Sequence, residues 1–352
     1  MRAPDFERLK AALMGEGETD RVSLLELFAD PEVISTVVGE PIDTPITEAD
    51  KLRFAEMRVE FWSQLGYDAV CVGAGPSLKY ARAAAGDTAD LEREERTWVV
   101  SELGTVNTWD AFREFDWPTA EDTDYAEIDL TAELLPAGMK ILTKTEGALE
   151  PVMWLMGYSP FAIALHEDPD LVAALFERCA DIFTPVAERA LDMDEVGGLF
   201  IGDDMGFKTS TMISPDHLRE FVFPYHRRLA EMAHERGKLY ILHACGNLEG
   251  VMDDLIDDVG IDAKHSFEDA IMPIEEVTAL YADRIGIIGG IDVDFLCRAS
   301  EEEVRARVRE VLEHCVPGRG YVLGTGNSVT NYMPVPNFLA MVDEGRSWRA
   351  TA

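Results

Sequence analysis

Short apolar segments alternate along this chain with longer amphipathic ones. Eight of the short segments are apolar or β-branched runs that end in polar or glycine residues, a pattern typical of buried β-strands. Their ranges are 21–28, 68–74, 139–146, 197–203, 238–243, 260–265, 285–291 and 320–325. Most of the intervening segments carry apolar residues at the spacing of a helix that buries one face. The chain is therefore predicted to repeat a strand and a helix.

Helix boundaries can be recognised at several of the intervening segments. Ser214 followed by Pro215 predicts a helix that begins with a capping side chain and a proline in its first turn. Gly237 predicts the end of that helix, directly before the fifth strand. Ser300 and Glu303 have the spacing of a capping box ahead of another helical segment. These signals support the division of the chain into strands and helices.

The order of the elements predicts the architecture. Eight strands alternating with helices indicate parallel strands, right-handed crossovers and a closed (β/α)8 barrel, with a doubly wound open sheet as the alternative. Residues 1–352 are predicted to form one domain, since no linker or low-complexity run divides them. Residues 1–20 are predicted to form a helix packed outside the barrel. Residues 96–117, with alternation around 102–104, are predicted to form a β-hairpin inserted between the second and third strands.

Composition indicates a soluble globular protein. Of the 352 residues, 47% are hydrophobic and 28% charged, and no apolar stretch approaches the ~20 residues needed to span a bilayer. The first twenty residues are too charged for a secretory signal. Five cysteines, an odd number, are scattered and mostly lie in apolar segments, as expected for reduced thiols. We therefore expect a cytoplasmic location.

The net charge limits the choice of partners. Sixty-seven acidic against 31 basic residues give a formal charge of −36, which repels nucleic acid and anionic membranes. Neither is therefore an expected partner. The acidic residues lie largely on predicted helix faces and loops, which favours a strongly solvated surface. An acidic docking face for a basic partner is the alternative. The sequence gives no signal for the oligomeric state, and a homodimer is compatible with it.

One strand ends in a histidine and a cysteine separated by a single residue. Side chains two apart in an extended segment point the same way, so His243 and Cys245 are expected to converge at the end of the fifth strand. An imidazole and a thiolate are ligands that Zn²⁺ accepts. Taken alone, the pair is more often a buried structural cysteine beside a hydrogen-bonded histidine.

Other predicted strands also end in polar side chains. In a barrel the carboxyl ends of the strands carry the active site. The candidates at these ends are Glu26, Glu146, Glu150, Asp203, Asp204, His265, Glu268, Asp269, Asp292 and Asn327. Each has an ordinary alternative role, such as a helix cap for Asp292. Together they predict an acidic pocket suited to a metal ion.

The later strand motifs resemble those of the uroporphyrinogen decarboxylase superfamily. They are LHACGN, a Gly-Ile-Asp segment, IGGID, YVLGTGNSV and YMPVPN, in that order. The resemblance covers most of the chain and is strongest from residue 197 to the end. The superfamily contains metal-free porphyrinogen decarboxylases and zinc-dependent methyltransferases, which serve corrinoid proteins or thiol acceptors. Both branches share a barrel fold.

Two motifs of the decarboxylase branch are absent. That branch carries an arginine-rich RQAGRY segment after the first strand and an aspartate after the second, where this chain has ELFADPEV and VGAGPSL. An acidic, arginine-poor pocket would also repel a porphyrinogen with four carboxylates. The resemblance therefore favours the methyltransferase branch.

The resemblance implies a zinc site at the end of the fifth strand. The methyltransferase branch holds zinc with the His-x-Cys motif, matched here by His243 and Cys245, and with a second cysteine after the eighth strand. Asn327 stands at the place of that second cysteine. The third ligand is thus open among Asp203, Asp204 and Glu146. Glu146 is placed in the metal set, and the two aspartates are also candidate catalytic residues.

The expected activity is zinc-dependent methyl transfer between a small substrate and a cobalamin-carrying corrinoid protein. A carboxylate ligand in place of a thiolate favours activation of an oxygen leaving group, and hence O-demethylation of a methoxylated compound. His265 or Glu268 is expected to protonate that oxygen, and Asn327 is a further catalytic candidate. The alternatives are methylation of a thiol, a metal-free decarboxylase or lyase acting on a porphyrin-like or other carboxylated substrate, and a binding protein without turnover.

Overall fold

Nine β-strands are present in the part of the chain that the structure describes. The structure is a computed structural model and describes residues 3–16, 21–43, 46–85, 96–99, 104–318 and 320–349. The strands are β1 Ala69–Gly73, β2 Arg82–Ala85, β3 Arg96–Val99, β4 Lys140–Lys144, β5 Val196–Gly202, β6 Leu239–His243, β7 Ala263–His265, β8 Gly286–Ile288 and β9 Tyr321–Val322.

Seven of these strands form one parallel sheet. Its order is β1, β4, β5, β6, β7, β8 and β9, so each strand pairs with the next along the chain. Helices connect the parallel strands, as a barrel of βα units requires. The seven strands coincide with the second to eighth predicted strands to within a few residues. The α/β class and the parallel sheet are therefore confirmed.

The first predicted strand, residues 21–28, differs from the others. It joins the sheet through a single parallel bridge, Leu24 to Leu323, with the Leu25 amide donating to the Leu323 carbonyl at 3.1 Å. On its other side the Cys71 thiol donates to the Glu26 carbonyl at 3.1 Å. Among the described residues, no backbone hydrogen bond links this segment to β1. The barrel is thus closed beside β9 and has an open seam beside β1.

The Glu26 side chain fixes the closed side of that segment. Its carboxyl group accepts hydrogen bonds from the Thr325 amide at 3.0 Å and from the Thr325 hydroxyl at 2.6 Å. The group is fully buried, and burial raises the pKa of Glu26 to about 8. The structure therefore assigns Glu26 to closure of the barrel.

Glu26 makes the stability of the fold depend on pH. An unfolded glutamate has a pKa near ~4.3, so between about pH 4 and pH 8 the unfolded chain has lost a proton that the folded chain keeps. The free energy of unfolding then falls as the pH rises through this window. Glu26→Gln carries a permanently neutral side chain. We expect its free energy of unfolding, relative to that of the unaltered chain, to rise by up to about 1.4 kcal/mol per pH unit. Urea titrations at several pH values test this, and a difference that stays constant with pH contradicts it.

Fourteen α-helices lie in the described part of the chain. They are α1 Phe6–Leu13, α2 Pro31–Val38, α3 Lys51–Leu65, α4 Trp109–Glu114, α5 Ala126–Leu134, α6 Leu149–Met156, α7 Tyr158–Glu167, α8 Pro169–Leu191, α9 Pro215–His217, α10 Phe223–Glu235, α11 Ile274–Tyr281, α12 Val293–Arg298, α13 Glu301–Cys315 and α14 Val335–Ser347. A π-helical turn, Leu218–Val222, joins α9 to α10 directly before Pro224, which has no amide hydrogen to donate. None of the described helices is long and apolar enough to cross a membrane.

The predicted helix ends are confirmed at the positions named above. The Ser214 hydroxyl accepts from the His217 amide at 3.2 Å at the start of α9. Ser300 and Glu303 form the reciprocal capping box of α13. Gly237 has a φ of +66° directly after the helix that ends at Glu235, a conformation that glycine adopts without strain.

The amino-terminal helix closes one end of the barrel. Phe6, Leu9 and Leu13 of α1 are buried in the same apolar cluster as inward-facing residues of the sheet, such as Leu142 and Phe200. Glycines of the sheet admit the helix, because a Cβ on Gly197 would collide with the Phe6 ring. The helix therefore lies across the amino-terminal mouth of the barrel, whereas the sequence predicted that it packs on the outside.

The predicted hairpin at 96–117 differs from the structure. β3 pairs antiparallel with β2, which precedes it in the chain, and the two form a separate sheet between β1 and β4. Residues that were predicted to form the second strand include helix α4, which Thr108 caps by accepting from the Ala111 amide at 3.2 Å. Most of the predicted turn at 102–104 lies outside the described residues.

Candidate metal centre at the carboxyl ends of the strands

Three adjacent strands bring the candidate ligands to one edge of the sheet. The register aligns Gly202 of β5, His243 of β6 and His265 of β7. Asp204 follows β5 by two residues, and Cys245 follows His243 at the same spacing. Because the strands are parallel, their carboxyl ends coincide and the side chains that follow them share one space.

Asp204, His243 and Cys245 converge on one point. Their ligand atoms all lie within 4.8 Å of one another. His243 Nε2 is 3.5 Å from Cys245 Sγ and 3.6 Å from Asp204 Oδ1. Tetrahedral zinc with ordinary Zn–N, Zn–O and Zn–S bond lengths would hold such atoms about 3.4–3.5 Å apart. The three side chains therefore fit a zinc ion with its fourth position open.

Hydrogen bonds fix which nitrogen of His243 faces these ligands. His265 Nε2 lies 3.1 Å from the Thr325 carbonyl, which can only accept, so this nitrogen donates. His265 Nδ1 must then accept from His243 Nδ1, at 2.8 Å. His243 Nε2 is left unprotonated, with its lone pair directed at Cys245 and Asp204. The chain of bonds thus prepares His243 as a metal ligand.

His265 is already committed by these contacts. It is fully buried, and burial lowers its pKa to about 4. Both ring nitrogens are engaged, one with a carbonyl and one with His243. The predicted role of His265 as a proton donor to substrate is thus less consistent with the geometry than a role in orienting His243.

The Cys245 thiol is surrounded by hydrogen-bond donors. Asn327 Nδ2 donates to Sγ at 3.2 Å and the Ser266 hydroxyl at 3.5 Å. Burial, together with the Asp204 charge, raises the pKa of Cys245 to about 12. Without a cation the sulfur is therefore protonated at neutral pH, and a bound metal ion would displace that proton. The structure places Asn327 against the sulfur, at the position where a second cysteine was expected.

Asp203 lies apart from these ligands, although it is adjacent in sequence to Asp204. Its carboxylate accepts from the backbone amides of Ala148, Leu149 and Glu150 at 2.8–2.9 Å, which anchors the start of α6. It also accepts from His226 Nε2 at 2.8 Å. Asp203 is fully buried, and four donors engage its two oxygens. The geometry indicates a structural role for Asp203.

Three glutamates, Glu127, Glu146 and Glu150, line a cavity of about 500 Å³ beside the three ligands. Glu146, which the sequence placed in the metal set, borders this cavity and is not part of the converging group. The Glu150 carboxyl group accepts from the Asp204 amide, and this hydrogen bond lowers the pKa of Glu150 in part. Burial and the charges of Asp204 and Asp203 raise the pKa of Glu150 well above its usual range. Burial at the wall of the cavity thus favours the protonated form of Glu150.

The remaining acidic residues at the strand ends make other contacts. Glu268 is at the edge of the site, where it accepts from the Gly246 amide at 3.4 Å. Asp269 lies 3.5 Å from Arg307, and Asp292 caps α12 by accepting from the Phe295 amide. Of these three, only Glu268 contacts a loop that carries a ligand.

Lys264 is a site residue that the sequence reasoning missed. Its ammonium group is buried and donates to the carbonyls of Ala244 at 3.1 Å and Ser266 at 2.8 Å. These carbonyls belong to the two loops that hold Cys245 and the serine hydrogen-bonded to it. Ser266 has a φ of +77°, a strained conformation for a residue with a side chain. The available signal was a lysine in the sixth predicted strand, directly before His265.

Comparison with known proteins assigns the chain to a family. The sequence signature described as Uroporphyrinogen decarboxylase (URO-D) matches residues 40–348. The chain belongs to this family. The match includes all the strands of the parallel sheet and the three converging ligands, so the predicted resemblance is confirmed.

Individual URO-D family relatives come from both branches. A methylated-thiol–coenzyme M methyltransferase from Methanosarcina mazei is 32% identical over 145 residues, which is 41% of this chain and 36% of the relative. A uroporphyrinogen decarboxylase from Anaeromyxobacter dehalogenans is 23% identical over 347 residues, covering 92% of this chain and 87% of the relative. The chain thus aligns with about a third of the length of the methyltransferase.

A solved structure shares the URO-D family fold. A methyltransferase from Methanosarcina mazei superposes with a TM-score of 0.66 and 19% identity, covering 96% of this chain and 97% of the other. This agreement supports the TIM-barrel-like architecture. Together, the family match and the shared fold place the chain in the URO-D superfamily.

Proposed function

We propose that this protein is a zinc-dependent methyltransferase that moves a methyl group between a small molecule and a corrinoid protein. The observation that carries the proposal is the convergence of Asp204, His243 and Cys245, with the lone pair of His243 Nε2 directed at the other two ligands. A His/Cys/carboxylate set with an open position is a donor set that catalytic zinc uses. The methyltransferase relatives supply the general chemistry.

The donor set favours an oxygen substrate. Bound zinc acts as a Lewis acid on a group that enters its open position. Asp204, a harder ligand than a second thiolate, leaves less electron density on the ion and favours activation of an ether oxygen. Asn327 keeps one donor on Cys245 Sγ, which reduces the basicity of the sulfur further. We therefore infer that the methyl donor is a methoxylated compound.

Glu150 is the residue best placed to supply a proton. Demethylation of an ether breaks the O–CH3 bond, passes the methyl group to the two-electron nucleophile cob(I)alamin and leaves an alkoxide that takes up one proton. Glu150 lines the cavity and accepts from the Asp204 amide, which places its carboxyl group next to the proposed ligands. We assign the proton transfer to Glu150, with Glu268, which accepts from the Gly246 amide, as the alternative.

The reaction can be tested directly with free cobalamin in place of its carrier. Purified protein is incubated with cob(I)alamin and either 2-methoxyphenol or its methylthio analogue, and methylcobalamin is followed by absorbance. We expect turnover of the methoxy compound, loss of turnover after exhaustive chelation, and recovery on addition of zinc. Greater turnover of the methylthio compound would shift the proposal to thiol chemistry.

A metal-free decarboxylase is the second candidate, because the Anaeromyxobacter relative aligns over 92% of the chain. Against it, the cavity beside the ligands is lined by Asp124, Glu127, Glu146 and Glu150 with one basic residue, Lys144. A wall with one basic residue offers few cations to bind a substrate with four carboxylates. Release of CO2 from uroporphyrinogen by chelated protein would establish the decarboxylase and exclude the methyltransferase.

His265 is expected to act on zinc affinity through His243. His265→Phe removes the acceptor for the His243 Nδ1 proton, so we expect the zinc dissociation constant to rise by about 10–100-fold. His265→Gln can still accept this proton and should retain much of the affinity. Competition with a chromophoric chelator measures both. Equal zinc affinity in His265→Phe and the unaltered chain would show that His265 does not orient His243.

A further inference from the structure

The open seam of the barrel contains a narrow slot. It lies where the first strand segment fails to pair with β1, and its volume is about 130 Å³. Phe28 forms one side, and Cys71 to Gly73 form the other. Phe28, Gly73, Glu127 and Lys144 also line the cavity beside the zinc ligands, so the two spaces are adjacent.

Arg58 brings an unsatisfied hydrogen-bond donor to the slot. The residue is 8% exposed, and its Nη2 donates to Glu127 at 2.9 Å. Its Nη1 is buried and has no hydrogen-bond partner among the residues that the structure describes. The guanidinium is also stacked 4.7 Å from the centre of the Phe54 ring. A buried guanidinium nitrogen without an acceptor is costly and is rarely left so without a ligand or water.

Lys144 brings a second cation to the same slot. Its side chain extends from the end of β4 over Gly73, with Nζ 4.6 Å from the centre of the Phe28 ring. Within the described part of the chain, Nζ makes no hydrogen bond. Glu127 pairs with Arg58, so Lys144 is left without a carboxylate within ion-pair distance among the described residues. In a chain with a net charge of −36, a cation of this kind is unexpected.

The other walls of the slot are apolar. They include Ile34, Phe54, Trp62 and Val72. An apolar protein cavity of about 150 Å³ is large enough to bind benzene. The slot therefore has room for a ring or a short carbon chain, with its cations at one side.

We propose that the slot binds a small organic monoanion, with the apolar body between Phe28 and Trp62 and the carboxylate or sulfonate held by Arg58 and Lys144. One negative charge would pair with Lys144, and the acceptor oxygens would satisfy Arg58 Nη1. That the anion is one end of the methyl-transfer substrate rests on the proposed function and on the wall that the slot shares with the larger cavity. The binding itself does not depend on it.

Calorimetry with model ligands tests the slot. The unaltered chain is titrated with benzoate, benzyl alcohol, benzylamine and acetate. We expect benzoate to bind at least tenfold more tightly than each of the others, because only benzoate has both a negative charge and an aromatic ring. Lys144→Met should weaken benzoate binding at least tenfold, and Lys144→Arg should restore much of it. Equal binding of benzoate and benzyl alcohol, or unchanged binding in Lys144→Met, would overturn the proposal.

Two further variants separate this proposal from the one before. Arg219→Met removes a half-exposed arginine that pairs with Asp254 on the surface, and it should bind benzoate like the unaltered chain. Cys245→Ser removes a proposed zinc ligand and should also bind benzoate unchanged. Binding by Cys245→Ser supports the slot even if methyl transfer is never observed. Loss of benzoate binding in Arg219→Met would mean that the effect of Lys144→Met is not specific to the slot and would overturn the assignment.

Discussion

Asp203→Ala is expected to lower the free energy of unfolding by about 4 kcal/mol. The change removes the acceptor of three backbone amides at the start of α6 and leaves the His226 Nε2–H buried without a partner. Loss of a helix cap costs about 1 kcal/mol, and each buried donor left unsatisfied costs about 1–3 kcal/mol. Urea denaturation followed by circular dichroism measures the difference.

A second capping aspartate is a matched control. Asp168 begins α8 and accepts from one amide, that of Leu171 at 3.3 Å, in a half-buried position. Asp168→Ala is expected to lower the free energy of unfolding by about 1 kcal/mol. If Asp203→Ala costs no more than Asp168→Ala, the buried network around Asp203 does not stabilise the fold as described.

Cys245→Ser is expected to abolish stoichiometric zinc binding. The unaltered protein should hold about one zinc per chain when purified without added metal, and the variant less than about a tenth of that. A serine hydroxyl is a much weaker zinc ligand than a thiolate, and the remaining His243 and Asp204 leave only two strong ligands. Elemental analysis after gel filtration gives the stoichiometry.

Another half-buried cysteine is the control for that variant. Cys297 lies on α12, outside the converging group, and its thiol is 3.9 Å from the Tyr332 carbonyl. Cys297→Ser should keep one zinc per chain. Zinc that stays at full occupancy in Cys245→Ser, or that is lost equally in both variants, is incompatible with Cys245 as a ligand.

The parallel sheet was predictable because each of its strands is a short apolar run between helical segments. The prediction for the first segment was only partly right, for a physical reason. Residues 21–28 are also an apolar run, but they do not pair with β1, and the barrel is open between them. Strand pairing depends on both segments, so the sequence of one segment does not predict it. The amino-terminal helix was likewise predicted, but its position was not. Its apolar face indicates that the helix is buried on one side and does not indicate against which surface.

The site was predictable where strand geometry decides it. His243 and Cys245 meet because residues two apart in a strand point the same way, and Asn327 lies against the sulfur at the place expected for a ligand. The choice between Asp203 and Asp204 was not predictable. Consecutive side chains point to opposite sides, and only the position of α6 reveals that Asp203 faces its amides and Asp204 the ligands.

The features that the sequence could not reveal depend on packing between distant segments. Arg58 lies on α3 and Lys144 at the end of β4, and nothing in either local sequence indicates a shared slot. Lys264 was hidden for a similar reason, since its role depends on carbonyls of two separate loops. Burial of these cations became visible only in the folded chain.

X-ray absorption at the zinc edge tests the proposed metal centre most directly. With Asp204, His243 and Cys245 as ligands, the spectrum of zinc-loaded protein should show one sulfur at about 2.3 Å and the remaining ligands as nitrogen or oxygen at about 2.0–2.1 Å. In Cys245→Ser the sulfur contribution should disappear. Two sulfur ligands in the unaltered protein, or none, would contradict the His/Cys/carboxylate centre on which the proposed methyl transfer depends.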